Sequence, residues 1–93
     1  MATMRESWEA WDRKNPKFYE LFERFTFEAI KSGKTKLSAW LIVNRIRWEA
    51  EIMSTGDNTY KISNNFIAFY SRRFMAQHPQ WSNLFKTKEM LND

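Results

Sequence analysis

The chain has 93 residues, of which 43% are hydrophobic and 17% aromatic, and its formal net charge is +4. A chain of this length builds one hydrophobic core, and its apolar content excludes wholesale disorder. The absence of cysteine excludes a disulfide framework, a thiolate metal site and a cysteine nucleophile.

The first predicted elements are a short N-terminal helix and a longer helix that follows it. Trp8 and Trp11 stand three residues apart on one side of the first helix. In the second helix, Asn15 is the expected cap, Pro16 suits the first turn and Gly33 suits the exit. The core face of this helix consists of apolar side chains at helical spacing: Phe18, Leu21, Phe22 and Phe25.

The third predicted helix follows the basic linker GKTK and is apolar on two sides. Ser38 is its expected cap. One side is a core stripe: Ala39, Ile42, Val43, Ile46 and Met53. Trp48 lies on the other side with Leu41 and Ile52, so we expect a central helix that is buried from both sides. An exposed docking surface around Trp48 is the alternative.

A turn at Gly56–Asp57 separates this helix from the fourth. The segment TYKIS, just before the fourth helix, alternates and could form a short strand. Ser63 is the expected cap of a helix over residues 64–77, whose core face is Phe66, Ile67, Tyr70 and Phe74. One or two further turns follow Pro79, and the chain end is expected to fray.

These elements predict an all-α fold in one domain, residues 1–93. It is a compact bundle of three main helices with short flanking helices. The three-helix core spans residues 15–78, with a short helix at 1–14 and a short helix and frayed tail at 79–93. The order is loosely helix-turn-helix-like, but the connection over residues 54–62 is longer than the three or four residues, roughly, of the standard motif.

The charge excess lies between residues 34 and 73, where seven bases face three acids, while the segments on either side are balanced. A localised excess of this kind attracts polyanions. On the fourth helix, Asn65, Phe69, Arg72 and Arg73 form a second stripe of amide, aromatic ring and guanidinium, a mixture that suits nucleic-acid recognition. The alternative is that Arg73 shields Phe69 and that Arg72 is merely solvated.

From this charge pattern we predict a set of nucleic-acid-binding residues. Lysines and arginines would contact phosphates, and the asparagines would contact bases. The set is Lys34, Lys36, Arg45, Lys61, Asn64, Asn65, Arg72 and Arg73.

Catalytic and metal chemistry is not indicated. His78 is the only histidine and ends a helix, a position where a structural role is the simpler interpretation. Glu49 and Glu51 lie on different faces of their helix, and each has an arginine at i−4, Arg45 and Arg47, which favours solvated salt bridges. No glycine-rich phosphate loop is present. We therefore expect no enzyme activity, no cofactor and no metal.

The aromatic surplus supports a different function, docking on another protein, because Trp, Tyr and Arg are common interface anchors. The candidate anchors lie near the two chain ends: Trp8, Trp11, Trp81 and Phe85. In this interpretation the protein is an adaptor or inhibitor that binds a host protein. The sequence does not distinguish DNA from RNA as a partner, or a monomer from a dimer.

The N-terminus is charged and lacks the apolar centre of a signal peptide. The longest apolar run, residues 39–43, is too short to cross a bilayer. We expect a soluble cytoplasmic protein with no membrane partner.

A sequence pattern runs through the second half of the chain: Arg47-Trp48-Glu49, Gly56-Asp57, Asn64-Asn65, Tyr70, Arg72, Pro79 and Phe85. It resembles the pattern of a group of small, mostly uncharacterised proteins encoded in phage and prophage genomes, and the similarity covers residues 7–88. Lys-Thr-Lys follows Phe85 where that pattern has an arginine. The resemblance implies a phage-type protein in the bacterial cytoplasm and brings no established activity or catalytic residue.

Overall fold

The computed structural model describes residues 2–52 and 62–86, and these ranges contain four α-helices and one 3₁₀ turn. The elements are α1 (Met4–Lys14), α2 (Pro16–Lys31), α3 (Ala39–Ile52), α4 (Asn64–Gln77) and the turn Pro79–Trp81. The predicted all-α class is confirmed. The predicted turn at Gly56–Asp57, most of the TYKIS segment, Met53 and the chain end beyond residue 86 lie outside the described residues.

Side-chain caps begin three of the helices. In a capping box at the start of α1, the Thr3 hydroxyl accepts from the Glu6 backbone N–H and the Glu6 carboxylate accepts from the Thr3 N–H, both at 3.1 Å. The bond from the Thr3 backbone holds the pKa of Glu6 below its ordinary value. Ser38 and Ser63 begin α3 and α4 as predicted, and the Oγ of each accepts a backbone N–H at 3.3 Å.

The chain passes from α1 to α2 at Asn15, which holds the predicted cap position of α2. The Asn15 side-chain amide donates to the Trp11 carbonyl at 2.9 Å, so it closes α1 and makes no side-chain cap on α2. Pro16 opens α2 as predicted. Gly33 ends α2 with a φ of 102°, a left-handed conformation that glycine adopts without strain, and its N–H donates to the Ile30 carbonyl at 2.9 Å.

The core is built mainly from aromatic rings of α1, α2 and α4, and Tyr70 is at its centre. Tyr70 is fully buried. Its ring centroid lies 4.9–6.1 Å from five rings of α1 and α2: Trp8, Trp11, Phe18, Tyr19 and Phe22. Such ring pairs add to the stabilisation that burial alone provides, and here they fasten α4 to both preceding helices.

One side of α3 packs against the rest of the bundle. Ile42, Val43 and Ile46 are buried between α2 and α4, whereas α1 packs on α2 and α4 and does not reach α3. The prediction that α3 is buried from both sides is therefore wrong, because α2 and α4 both pack against the same side of α3. Its other large apolar side chains are exposed: Trp40 at 62%, Leu41 at 59%, Trp48 at 61% and Ile52 at 59%.

The segment after the 3₁₀ turn returns to the loop before α3. The Leu37 N–H donates to the Leu84 carbonyl at 2.9 Å, and Leu37 pairs with Phe85 in an isolated parallel bridge. Leu84 and Phe85 are both buried. In the described ranges, none of the helices is long and apolar enough to cross a bilayer.

Candidate functional surfaces: a lysine edge and an exposed helix face

Arg73 belongs to a polar junction between α1, α2 and α4. Its guanidinium lies 3.2 Å from Asp12 Oδ2 and 4.0 Å from the centroid of the Tyr19 ring. The same carboxylate accepts a hydrogen bond from the Tyr70 hydroxyl, which lies 2.8 Å from Asp12 Oδ1. Arg73 therefore pairs with an acid of α1, and its guanidinium lies on the Tyr19 ring. That the apolar stem of Arg73 shields Phe69 stays a prediction.

The two tyrosines of this junction are held in their neutral form. Burial raises the pKa of Tyr19 and of Tyr70 well above the ordinary value of 10.0. The Asp12 hydrogen bond raises the pKa of Tyr70 further, and the charge of Glu23 does the same for Tyr19. The Tyr19 hydroxyl donates to Gln77 Oε1 at 2.6 Å, so both phenols act as hydrogen-bond donors in the folded protein.

We expect the protein to lose stability as the pH rises above 10. Unfolded tyrosines ionise near that pH, whereas folded Tyr19 and Tyr70 keep their protons, so the folded state binds more protons and the free energy of unfolding falls. The loss is at most about 1.4 kcal/mol per tyrosine and pH unit. Chemical unfolding between about pH 9 and about pH 11.5 measures it. The loss should be smaller in Tyr19→Phe and Tyr70→Phe, and an unchanged loss in both variants would contradict this cause.

The predicted recognition stripe on α4, which includes Arg73, is not continuous at the surface. Phe69 is only 2% exposed, with the Trp8 ring stacked on it at 5.0 Å and the Arg5 guanidinium 5.3 Å from its centroid. Arg72 is half-buried, while Asn65 is exposed in the first turn of α4. The predicted stripe of amide, ring and guanidinium is thus not one recognition surface, because α1 covers its aromatic member.

Arg45 is engaged at a different place in the fold, between α2 and α3. Its Nη2 lies 3.0 Å from Glu49 Oε1, which confirms the predicted i,i+4 pair, and its guanidinium lies 4.9 Å from the Phe25 ring centroid. Arg45 and Arg73 therefore contact different acids on different helices. Among the other predicted nucleic-acid-binding residues, Asn64 is exposed in the first turn of α4, and Lys61 lies outside the described residues.

The structure places the C-terminal segment beside the loop that carries two of the predicted lysines. Because Leu37 pairs with Phe85, the α2–α3 loop that carries Lys34 and Lys36 lies beside the segment that ends in Lys86. All three lysines are exposed, and the Lys36 Nζ donates to the Asn83 carbonyl at 2.8 Å. Residues 32–38 and 79–86 contain no acid. We call Lys34, Lys36 and Lys86 the lysine edge.

Sequence reasoning missed Lys86 because it lies in a segment whose charges balance. The acids that balance it in the count, Glu89 and Asp93, come later in the chain and lie outside the described residues. The acid-free run before Lys86 was the signal that could have found it.

The aromatic side chains near the chain ends are part of the core. Trp8 and Phe85 are buried, and Trp11 and Trp81 are half-buried against the same cluster. The prediction that Trp8 and Phe85 act as docking anchors is wrong, because their rings fill the interior between the helices. The alternative that an exposed surface surrounds Trp48 on α3 is the one that the structure supports.

His78 is held by contacts with side chains of α2 and α4. Its Nε2 lies 2.9 Å from Glu23 Oε2, and its ring contacts Phe74 and Phe27 with centroid distances of 4.5 and 5.0 Å. These contacts tie the end of α4 to α2. Within residues 2–52 and 62–86, no group of three His, Cys, Asp or Glu side chains could hold a metal ion.

No family model matches the chain, and neither a curated protein nor a solved structure is significantly similar to it. The resemblance to phage-encoded proteins therefore stays a prediction. Support for a function comes from the exposed lysines and from the exposed apolar side chains of α3.

Proposed function

We propose that the protein is a non-enzymatic accessory protein that binds nucleic acid through the lysine edge. The observation that supports this is the pairing of Leu37 with Phe85, which joins the two acid-free segments that carry these three exposed lysines. The ammonium group of lysine binds a phosphate as a point charge, and this binding releases counterions that were condensed on the nucleic acid. For a phage-type protein, the place of action would be the bacterial cytoplasm.

This surface is smaller than the set of nucleic-acid-binding residues that the sequence predicts, because Arg45 and Arg73 are paired with acids. We therefore expect weak, sequence-independent binding. Three phosphate contacts give a slope of log K against log salt of about −2.7 for duplex DNA and about −2 for single strands. Asn64 and Asn65, exposed in the first turn of α4, remain candidates for base contacts.

The test is fluorescence anisotropy with labelled duplex and single-stranded oligonucleotides at about 50 mM and about 200 mM salt. We expect Lys34→Glu/Lys36→Glu to weaken binding at low salt at least about tenfold and to reduce the slope by about 1.8. The matched control is Lys14→Glu/Lys17→Glu, which changes the net charge equally at exposed positions outside the edge. Lys86→Glu should behave as the edge variants do.

Two results would contradict the proposal. One is the absence of binding at low salt. The other is equal weakening by the edge pair and the control pair, since that would mean that only net charge acts.

A second candidate function is docking on a protein, and the exposure of Leu41, Trp48 and Ile52 favours it. Apolar side chains that are adjacent on one helix face and more than half exposed are typical of interaction surfaces. The adaptor or inhibitor hypothesis would therefore use α3 as its contact surface, in place of the buried aromatics near the chain ends.

A further inference from the structure

Four side chains form a line along the outer side of α3: Leu41, Arg45, Trp48 and Ile52. We call this line the α3 stripe. Its members are spaced by four, three and four residues, which keeps them on one side of a helix, opposite the buried Ile42, Val43 and Ile46. Each of the four side chains is more than half exposed. The described part of the bundle therefore leaves this side of α3 open, with three large apolar side chains and one arginine on it.

The separations along the α3 stripe, four, three and four residues, are the same when counted from either end. If a second α3 lies antiparallel across it, Leu41 meets Ile52 of the other copy and Arg45 meets Trp48 of the other copy. A twofold axis repeats each contact, as in an isologous interface. From this match we infer that the α3 stripe binds a second copy of the chain as an antiparallel helix pair.

The contacts of such a pair are chemically matched. Two aliphatic side chains pack together at each end, and at the centre a guanidinium meets an indole, the ring that gives the strongest cation–π interaction. The Arg45–Glu49 ion pair neutralises the stripe, so its charge favours no foreign partner of opposite sign. The stripe can thus be matched against itself residue by residue, as an isologous contact requires.

A groove beside the stripe offers a place for the Trp48 ring of the second copy. It lies between α2 and α3, has a volume of about 540 Å³, and is lined by four apolar residues and three polar ones: Phe25, Ala29, Leu41 and Ile42, with Glu28, Asn44 and Arg45. Arg45 lines the same groove, so the antiparallel match brings the second copy's Trp48 to its rim. An aromatic ring that fills a pocket at the centre of an interface is the typical hot spot.

This inference goes beyond polyanion binding and rests on the docking candidate, for which it names the partner. One α3 stripe and part of a groove offer less surface than the roughly 800 Å² per partner of a standard stable interface. We therefore expect a reversible dimer with a Kd of about 1–100 µM.

The first experiment is analytical ultracentrifugation between about 1 µM and about 1 mM, a range that brackets this Kd. The monomer mass is 11.3 kDa, and the wild-type chain should approach twice that mass at the upper end. Trp48→Ala should weaken dimerisation at least about tenfold. Its matched control is Trp40→Ala, an equally exposed tryptophan on the same helix but off the stripe, which should change the Kd less than about threefold.

Orientation is tested by cross-linking, which the absence of cysteine in the natural chain makes straightforward. An equimolar mixture of Leu41→Cys and Ile52→Cys chains should form the mixed disulfide. Each variant alone should form little, because an antiparallel pair keeps identical positions at opposite ends.

A wild-type chain that stays monomeric over the whole range would overturn the inference, and so would equal effects of the two tryptophan variants. Preferred disulfides between two Leu41→Cys chains would overturn the antiparallel arrangement. A monomer that captures a different protein only while Trp48 is intact would sink the second-copy inference and leave the docking candidate standing.

Discussion

Phe85→Ala is expected to lower the free energy of unfolding by about 3–5 kcal/mol, enough to unfold a marginally stable domain of this size. Phe85 is 4% exposed, and its ring lies 5.5 Å from that of Phe22 and 5.8 Å from that of Phe74. Removing the ring leaves a cavity between α2 and α4. The rings of both helices are held by further aromatic contacts, so the cavity cannot close by a small shift.

Chemical denaturation followed by circular dichroism measures this loss, with Trp40→Ala as the control. Trp40 is 62% exposed, so its truncation should change stability by less than about 0.5 kcal/mol. A loss below about 1 kcal/mol for Phe85→Ala would contradict its place in the core. It would restore the hypothesis that the aromatic side chains near the chain ends are docking anchors.

Asp12→Ala is expected to destabilise the fold by about 2–3 kcal/mol. The larger part comes from the Tyr70 hydroxyl, which is buried and would lose its acceptor, a change that costs about 1–3 kcal/mol. The Arg73 ion pair contributes less than about 1 kcal/mol, because both of its side chains are about a third exposed to water.

A double-mutant cycle separates the two parts. In a Tyr70→Phe background there is no hydroxyl to leave unpaired, so Asp12→Ala should cost about 1–2 kcal/mol less than in the wild type. Arg73→Gln should lower stability by less than about 1 kcal/mol and leave nucleic-acid binding unchanged. If Arg73→Gln instead weakens binding as much as Lys34→Glu/Lys36→Glu does, Arg73 contacts phosphate and its pairing with Asp12 is broken in the complex.

The helix boundaries could be predicted because their signals are local. Ser38, Ser63, Pro16 and Gly33 act on backbone groups within three or four residues, so neither the path of the chain nor its neighbours alter the outcome. The exception is Asn15, whose amide had two helices within reach and serves the earlier one. The preference of asparagine for helix caps does not show which of two adjoining helices its side chain will bond.

The candidate surfaces could be predicted only in part, because helical periodicity identifies apolar sides without saying what covers them. Phe69 lies at the flank of the predicted core face, and α1 covers it with the ring of Trp8. Trp48 lies on an equally apolar side of α3 and stays exposed, because α2 and α4 pack against the other side. Similar apolar patterns on α4 and α3 thus leave Phe69 buried and Trp48 exposed. The difference is that a neighbouring helix covers the first and none of the described helices covers the second.

The amino-acid sequence determined the helices, the single aromatic core and the absence of thiol chemistry, since these follow from composition and short-range periodicity. Folding determined which charges share a surface. Arg73 meets Asp12 across 61 positions of the chain, and Lys36 reaches Asn83 across 47. Contacts at such separations depend on how the helices pack, and no window of neighbouring residues contains that information.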